Sequence, residues 1–106
     1  MIFGLLLLIC SPLIVLSDPL PYAEWAHYHM VWLSNDRTDQ ADIQAMFDGY
    51  TNNEIPFGAV NIDSTWETNF NTFIFNSSKF PSVRQMLDGF RAKNKRIILW
   101  MTSFVN

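Results

Sequence analysis

Two amphipathic segments constrain the fold of this chain more than any other feature of its sequence. Their apolar residues stand at positions i, i+3, i+4 and i+7, where they share one helical face: Ile43, Met46, Phe47 and Tyr50, then Val83, Met86, Leu87 and Phe90. Each segment therefore predicts a helix that buries one face and leaves the other in solvent. A fold that contains two such helices must supply an apolar layer on one side of them.

Capping signals mark the ends of these helices. Thr38 is the expected N-cap of the first helix, and Asp39 and Asp42 fall in its first turn, where negative charge is favourable. The S-x-x-Q pattern that begins at Ser82 predicts a capping box at the start of the second helix. Asn94 predicts the end of that helix, because asparagine tolerates the left-handed conformation found after a C-cap.

Three short apolar runs, at 28–33, 59–62 and 96–101, lie before, between and after the helices and are typical of strands. The last run is continuously apolar, so we expect its strand to be buried on both faces. Strand, helix, strand, helix, strand at roughly thirty residues per unit is the pattern of a parallel sheet with both helices on one side. No glycine-rich phosphate loop follows any strand, which disfavours a dinucleotide-binding or P-loop fold.

The middle strand favours a barrel wall. Val60 and Ile62 share one face of it, while Asn61 and Asp63 share the other. A sheet with helices on one side and polar groups on the other suits a barrel better than a doubly wound sheet. Because a complete (β/α)8 barrel needs about 250 residues, the 106 residues predict an α/β fold, a partial (β/α)8 TIM barrel. It would contain the first three parallel strands and two helices, preceded by an apolar leader helix.

Asp63 stands at the carboxyl end of the middle strand, the edge where parallel sheets bind ligands. It is either an acid presented to a binding site or part of an ordinary Asp-Ser-Thr turn. The passage that follows, 68–79, is expected to be a surface excursion at the same rim. Its phenylalanines either serve a binding site or pin the loop to the body of the domain.

The first seventeen residues contain no charged side chain. They are shorter than a typical transmembrane helix, which takes roughly 20 apolar residues. They are typical of a secretory signal peptide, with an uncleaved membrane anchor or an artefact of the chain's start as alternatives. We therefore expect a signal peptide over 1–17, an extended lead-in over 18–27 and the barrel portion over 28–106. The single cysteine, Cys10, lies within the leader, so no disulfide framework is expected.

The charge balance disfavours nucleic acid as a partner. Seven basic and ten acidic side chains give a net charge of −3, whereas phosphate binding needs clustered Lys and Arg. The only basic cluster, Lys93, Lys95 and Arg96, is better placed to stabilise a helix C-terminus. His29 has no second ligand at a metal-binding spacing, and neither a metal site nor a cofactor is expected. Asn76 begins an N-glycosylation pattern, which agrees with secretion.

Several short blocks of sequence, in order, resemble the start of the catalytic barrel of glycoside hydrolase family 31. They lie at 61–68, 73–76, 79–81, 96–100 and 104–106, and the resemblance extends over roughly 28–106. Within the family it is greatest to the myogenesis-regulating glycosidase branch. The resemblance implies a retaining α-glycosidase of α-glucosides or α-galactosides, in which one carboxylate attacks the anomeric carbon and another serves as acid and base.

The resemblance also implies roles for individual residues. Asp63 matches an aspartate that hydrogen-bonds sugar hydroxyls, Trp66 a neighbouring position near the sugar, and Trp100 an aromatic residue that lines the pocket. Where the branch reads Glu-Ile-Asp-Asp, this chain reads Asn-Ile-Asp-Ser from Asn61, and Thr-Ser stands at 102–103 in place of His-Pro. Both departures lie on the substrate rim and bear on sugar specificity.

Two functions are consistent with these residues. The first is a fragment of a retaining glycoside hydrolase that is inactive alone, because the resemblance puts the catalytic pair beyond residue 106 and leaves no catalytic residue in this chain. The second is a non-catalytic secreted module that binds carbohydrate through Asp63, Trp66 and Trp100, with the aromatic rings stacking on the sugar. In either case the expected partner is a carbohydrate, and a membrane is involved only if the leader stays uncleaved.

Overall fold

Three parallel strands and two helices form the described part of the chain. The structure, a computed structural model, describes residues 22–33 and 38–104. It contains β1 (Met30–Leu33), α1 (Gln40–Asn52), β2 (Ala59–Ile62), α2 (Val83–Ala92) and β3 (Arg96–Leu99), with short 3-10 turns at Glu24–His27 and Ser64–Trp66. The predicted order of strands and helices is confirmed, whereas the leader over 1–17 lies outside the described residues.

The sheet has the strand order β1-β2-β3, and both pairs of neighbours are parallel. Val60 on β2 pairs with Val31 on one side and with Ile97 on the other. Their alternate neighbours point to the opposite face, as the pleat requires. Each of the three strands therefore presents its apolar residues on the same face of the sheet, and the two helices cover that face.

One apolar core joins the helices to that face. Its centre is a stack of Phe47 from α1 on Phe90 from α2, with ring centroids 4.0 Å apart and planes 9° from parallel. Phe57 meets the Phe47 ring edge-on at 5.5 Å. Val60 and Ile62 lie beneath them without measurable exposure. Both amphipathic helices therefore bury the faces that their periodicity predicts.

The start of α1 differs from the prediction. Asp39, not Thr38, is the N-cap: its carboxylate accepts the Asp42 N–H at 3.0 Å, and the Asp42 carboxylate accepts the Asp39 N–H at 3.3 Å. The two aspartates form a reciprocal capping box. Thr38 is buried, and its carbonyl accepts the Thr65 hydroxyl at 3.1 Å. A tertiary contact thus takes the threonine out of the helix.

The start of α2 also differs, while its end is as predicted. The Ser82 side chain makes no capping bond, and its backbone N–H donates instead to Gln40 Oε1 at 2.9 Å. At the other end Asn94 adopts φ 57°, its N–H bonds the Arg91 carbonyl, and the next N–H bonds the Phe90 carbonyl. This pair of bonds is a Schellman motif, with asparagine in the left-handed position.

The lead-in is not extended throughout. Glu24–His27 form a 3-10 turn, and β1 begins at Met30 rather than at residue 28. The turn packs so closely on the chain before β2 that a Cβ at Gly58 would lie 2.1 Å from the Trp25 carbonyl oxygen, and only glycine fits there. The Tyr28 hydroxyl donates to Glu24 at 3.2 Å, and this hydrogen bond raises the pKa of Tyr28.

The prediction that the last strand is buried on both faces is wrong. β3 ends at Leu99, and its three apolar residues are half-buried. The helices cover one face of the sheet, while the other face is open across the described residues: Trp32 on that face is 54% exposed. Within 22–33 and 38–104, no helix has the length and apolar character needed to cross a membrane.

Candidate functional site

The carboxyl ends of the three strands bring one aspartate and two tryptophans to a common edge. Asp63 follows β2, Trp100 follows β3 and Trp32 lies near the end of β1. The backbone N–H of Trp100 donates to the Ile62 carbonyl at 2.9 Å, which continues the β2–β3 ladder by one residue. That bond places Trp100 beside Asp63, because neighbouring parallel strands are about 4.8 Å apart.

Both carboxylate oxygens of Asp63 are held by hydrogen bonds. Oδ1 accepts the Ser64 N–H at 2.7 Å, and Oδ2 accepts Trp32 Nε1–H at 3.1 Å. Asp63 is also the N-cap of the Ser64–Trp66 turn. The turn role considered from the sequence is therefore present. It leaves the half-buried carboxylate at the open face in one fixed orientation, so the ligand role stays a prediction beside it.

Sequence reasoning missed Trp32. The side chain lies on the face of β1 opposite Val31, and in the sheet it stands across from Asn61. The indole therefore extends along the open face toward the end of β2. Alternation along 30–33 was the signal that could have found it, but pairing Trp32 with Asp63 also requires the strand register, which joins residues 31 apart.

Trp66 and Trp100 have different surroundings. Trp66 is 3% exposed, its ring lies 4.9 Å from the Phe75 ring, and its Nε1–H donates to the Trp100 carbonyl at 2.7 Å. Trp66 therefore offers no ring face to a bound sugar and instead fixes the backbone that carries Trp100. The Trp100 ring is half-buried and contacts the ring of Phe70 at 5.9 Å.

Four buried side-chain oxygens on three residues have no hydrogen-bond partner among the described residues. They are Asn61 Oδ1, both carboxylate oxygens of Glu67, and Asn71 Oδ1. All four are acceptors. Asn61 lies on the face of β2 that the helices leave uncovered, between Trp32 and Ile98 in register, but its Oδ1 is itself shielded from solvent.

The phenylalanines of the loop after β2 divide into two kinds. Phe75 is half-buried, pairs through its backbone with Glu67 and packs its ring 5.7 Å from Phe80. Phe70 and Phe73 are each more than half exposed. All three rings contact the body of the domain, Phe73 at 6.5 Å from the Trp66 ring and Phe70 at 5.9 Å from the Trp100 ring, but only Phe75 is half-buried.

The predicted glycosylation residue lies in a turn at the end of this loop. The half-buried Asn76 accepts the Ser78 N–H through Oδ1 at 3.1 Å, and its carbonyl accepts the N–H groups of Lys79 and Phe80. Its glycosylation stays a prediction. Across the part of the chain that the structure describes, no group of three or more His, Cys, Asp or Glu side chains is placed to hold a metal ion.

Comparison with known protein families gives a match over most of the chain. Residues 19–106 match the family model of the glycosyl hydrolases family 31 TIM-barrel domain. This stretch covers all three strands, both helices, Asp63 and the tryptophans at the carboxyl edge. No curated protein matches the chain.

Proposed function

The chain belongs to glycosyl hydrolase family 31, and from this premise we propose that its carboxyl edge supplies part of the sugar-binding pocket of a retaining α-glycosidase. The family acts on glycosyl bonds, so the substrate is a carbohydrate. The observation that carries the proposal is the arrangement of Asp63. Its carboxylate is fixed at the open face by two donors, and Trp100 stands at the end of the neighbouring strand.

In this proposal Asp63 accepts hydroxyl protons of the sugar while the Trp100 ring packs against the sugar. A carboxylate has about four lone-pair positions, and the two observed bonds leave acceptor capacity on both oxygens. Aromatic rings present an apolar face that suits the C–H side of a pyranose. Trp66 is buried and does not contact the sugar in this proposal. It positions Trp100, because its indole N–H donates to the Trp100 carbonyl.

The proposed substrates are α-glucosides or α-galactosides, and the proposed relationship within the family is to the myogenesis-regulating glycosidase branch. Both rest on the resemblance of short blocks around 61–68 and 96–100. The chain has Asn61 and Ser64 where that branch carries carboxylates. Two fewer negative charges at the rim favour a neutral sugar held by hydrogen bonds over a cationic ligand.

We expect no turnover by the 106-residue chain on its own. A retaining mechanism needs a nucleophilic carboxylate and an acid/base carboxylate on either side of the glycosidic bond. Asp63 and Glu67, the described acids at this edge, both follow the same strand, β2, and Glu67 is 5% exposed, so they do not form such a pair. The check is release of nitrophenol from aryl α-glucosides and α-galactosides by purified protein. Release that exceeds a heat-treated control would contradict the expectation.

A second candidate function is a secreted module that binds carbohydrate without cleaving it. It is favoured because the carboxyl edge carries groups that could bind a sugar, whereas the described residues contain no suitable pair of catalytic acids. Both candidate functions involve the same ligand, a carbohydrate. They are distinguished by the activity of any longer protein that contains this chain, because only the enzyme would hydrolyse the glycosidic bond. In both, the proposed location is the secretory pathway, with 1–17 as a signal peptide. N-terminal sequencing of secreted material distinguishes cleavage from an anchor.

Asp63→Asn tests the sugar site. The substitution preserves shape and can keep the bond from Ser64, but the amide nitrogen cannot accept from Trp32 or from a sugar hydroxyl. We expect the affinity for methyl α-glucoside or methyl α-galactoside, measured by NMR titration, to fall about tenfold or more, as for loss of a hydrogen bond to a charged group.

Glu54→Gln is the matched control for Asp63→Asn. It removes one negative charge from an exposed position after α1, away from the carboxyl edge. Its affinity for the same glycosides should equal that of the unmodified chain. Equal affinities in all three proteins would place the sugar elsewhere, and absence of any binding would refute the proposed function of the chain.

A further inference from the structure

An apolar surface adjoins the proposed sugar site. Five large apolar side chains on two neighbouring segments are each more than half exposed: Phe70, Phe73, Ile74, Met101 and Phe104. We call this set the rim patch. Exposed apolar side chains are ordinary when scattered, but a group of them on adjoining segments marks a binding surface.

The two segments that carry the rim patch are joined by a side-chain hydrogen bond. Asn71 Nδ2 donates to the Phe104 carbonyl at 2.7 Å. Phe70 links the patch to the sugar site, since its ring lies 5.9 Å from the ring of Trp100. An apolar surface therefore runs from the edge of the sheet, where Trp100 lies beside Asp63, outward onto the loop.

The backbone of the loop adopts a conformation that is unfavourable for the residues it contains. Phe73 has φ 55° and Asn71 has φ 57°, both in the left-handed region. Asparagine tolerates this region, whereas a bulky aromatic residue is an outlier there. The Phe73 ring is 60% exposed, and its centroid lies 6.5 Å from that of Trp66, so burial of the ring offsets only part of the unfavourable backbone energy. Strain of this kind concentrates at ligand sites.

We propose that the rim patch binds the apolar aglycone of a glycoside whose sugar occupies the site at Asp63. This inference rests on the proposed function and specifies its substrate class, glycosides with an uncharged alkyl or aryl aglycone. Neither segment, 68–76 nor 100–104, contains a charged residue, so the surface has no ionic partner for a charged aglycone. A ligand that packs against Trp100 reaches Phe70 without crossing a polar gap.

The polar residues of the loop favour a small ligand over a second protein. Asn69, Asn71 and Thr72 flank Phe70 and precede Phe73 in sequence, and they bond within the loop or to the neighbouring segment. Apolar groups inside a polar rim are the usual lining of a small-molecule site. A second copy of the chain, packed through an extended apolar face, is the competing occupant, and its presence would be visible as self-association.

The test compares matched glycosides that differ only in the aglycone. Methyl and hexyl α-glucosides, and the corresponding α-galactosides, are titrated into the full chain and followed by NMR. We expect the hexyl glycoside of the preferred sugar to bind about tenfold more tightly than the methyl glycoside, the gain when roughly two methylene groups leave water. In Phe70→Ala and Phe73→Ala the ratio of the two affinities should fall toward one.

Ile55→Ala is the control, because it removes an exposed apolar side chain from the opposite end of the strands. Its hexyl-to-methyl ratio should equal that of the unmodified chain. Equal affinities for methyl and hexyl glycosides in the unmodified chain would overturn the aglycone site and leave the sugar site standing. Absence of binding by either glycoside would overturn the proposed function together with this inference.

Two further measurements decide the occupant. Hexanol alone should bind far more weakly than the hexyl glycoside, and equal affinity would overturn a joint sugar and aglycone site. Light scattering over a range of protein concentrations tests for self-association through the rim patch. We expect none; the contrary result would be self-association of the unmodified chain that is lost in both Phe70→Ala and Phe73→Ala. Such self-association would assign the rim patch to a second copy of the chain and overturn the proposal.

Discussion

Phe47→Ala is expected to lower the free energy of unfolding by about 3–5 kcal/mol, the usual cost of deleting a buried aromatic ring. Phe47 is 1% exposed and lies where α1 meets both α2 and the chain before β2. Its removal ends the stack on Phe90 and the edge contact with Phe57, and it leaves a cavity between the helices. The ammonium group of Lys93, 5.4 Å from the ring centroid, loses its aromatic partner as well.

Urea denaturation followed by tryptophan fluorescence measures the loss at Phe47. Phe47→Leu keeps most of the apolar volume and should cost about half as much or less, so it remains informative if the alanine variant does not fold. Phe104→Ala is the exposed control, since Phe104 is 79% exposed, and should change stability by about 0.5 kcal/mol or less. Similar losses in Phe47→Ala and Phe104→Ala would show that α1 does not pack on α2 through this ring.

Glu67→Met is expected to act in the opposite direction and raise the free energy of unfolding by about 1–3 kcal/mol, the cost of a buried polar group left without a partner. Neither carboxylate oxygen of Glu67 has a hydrogen-bond partner among the described residues, and the side chain is 5% exposed. Methionine keeps the length of the side chain and removes its charge. The backbone pairing of Glu67 with Phe75 does not depend on the side chain and is preserved.

The control for Glu67→Met is the same substitution at Glu54, which is exposed. Glu54→Met should change the free energy of unfolding by about 0.5 kcal/mol or less. Both variants are compared with the unmodified chain by urea denaturation at neutral pH. A loss of stability in Glu67→Met that Glu54→Met does not share would mean that a bound donor group stabilises the Glu67 carboxylate.

Local periodicity was sufficient to predict the helices and strands. Apolar spacing alone identifies Phe47 and Phe90 as buried, and alternation separates Val60 from Asn61. Asn94 could be assigned as the end of α2 because a Schellman motif uses only residues close to it in sequence. These predictions were successful because each depends on the period of one helix or strand or on residues close together in sequence.

The failures concern contacts between distant residues. The Ser82 N–H donates to the side chain of Gln40, which is 42 residues away, and the Thr38 carbonyl accepts the hydroxyl of Thr65. Trp66 could be placed near the site by resemblance, but its burial follows from packing against Phe75 and from the bond of its indole N–H to the Trp100 carbonyl. No local pattern specifies such pairs, since they depend on the strand register and on the packing of the crossovers.

The two hydrogen bonds of Asp63 affect the entropy of binding. Donors from Ser64 and Trp32 already restrict both torsions of this side chain, so its rotamer freedom is lost during folding. Ordering a side chain at an interface costs about 0.5–1.5 kcal/mol when it happens upon association. A ligand that bonds Asp63 meets an acceptor that is already in place, and the entropy lost on binding comes mainly from the ligand itself.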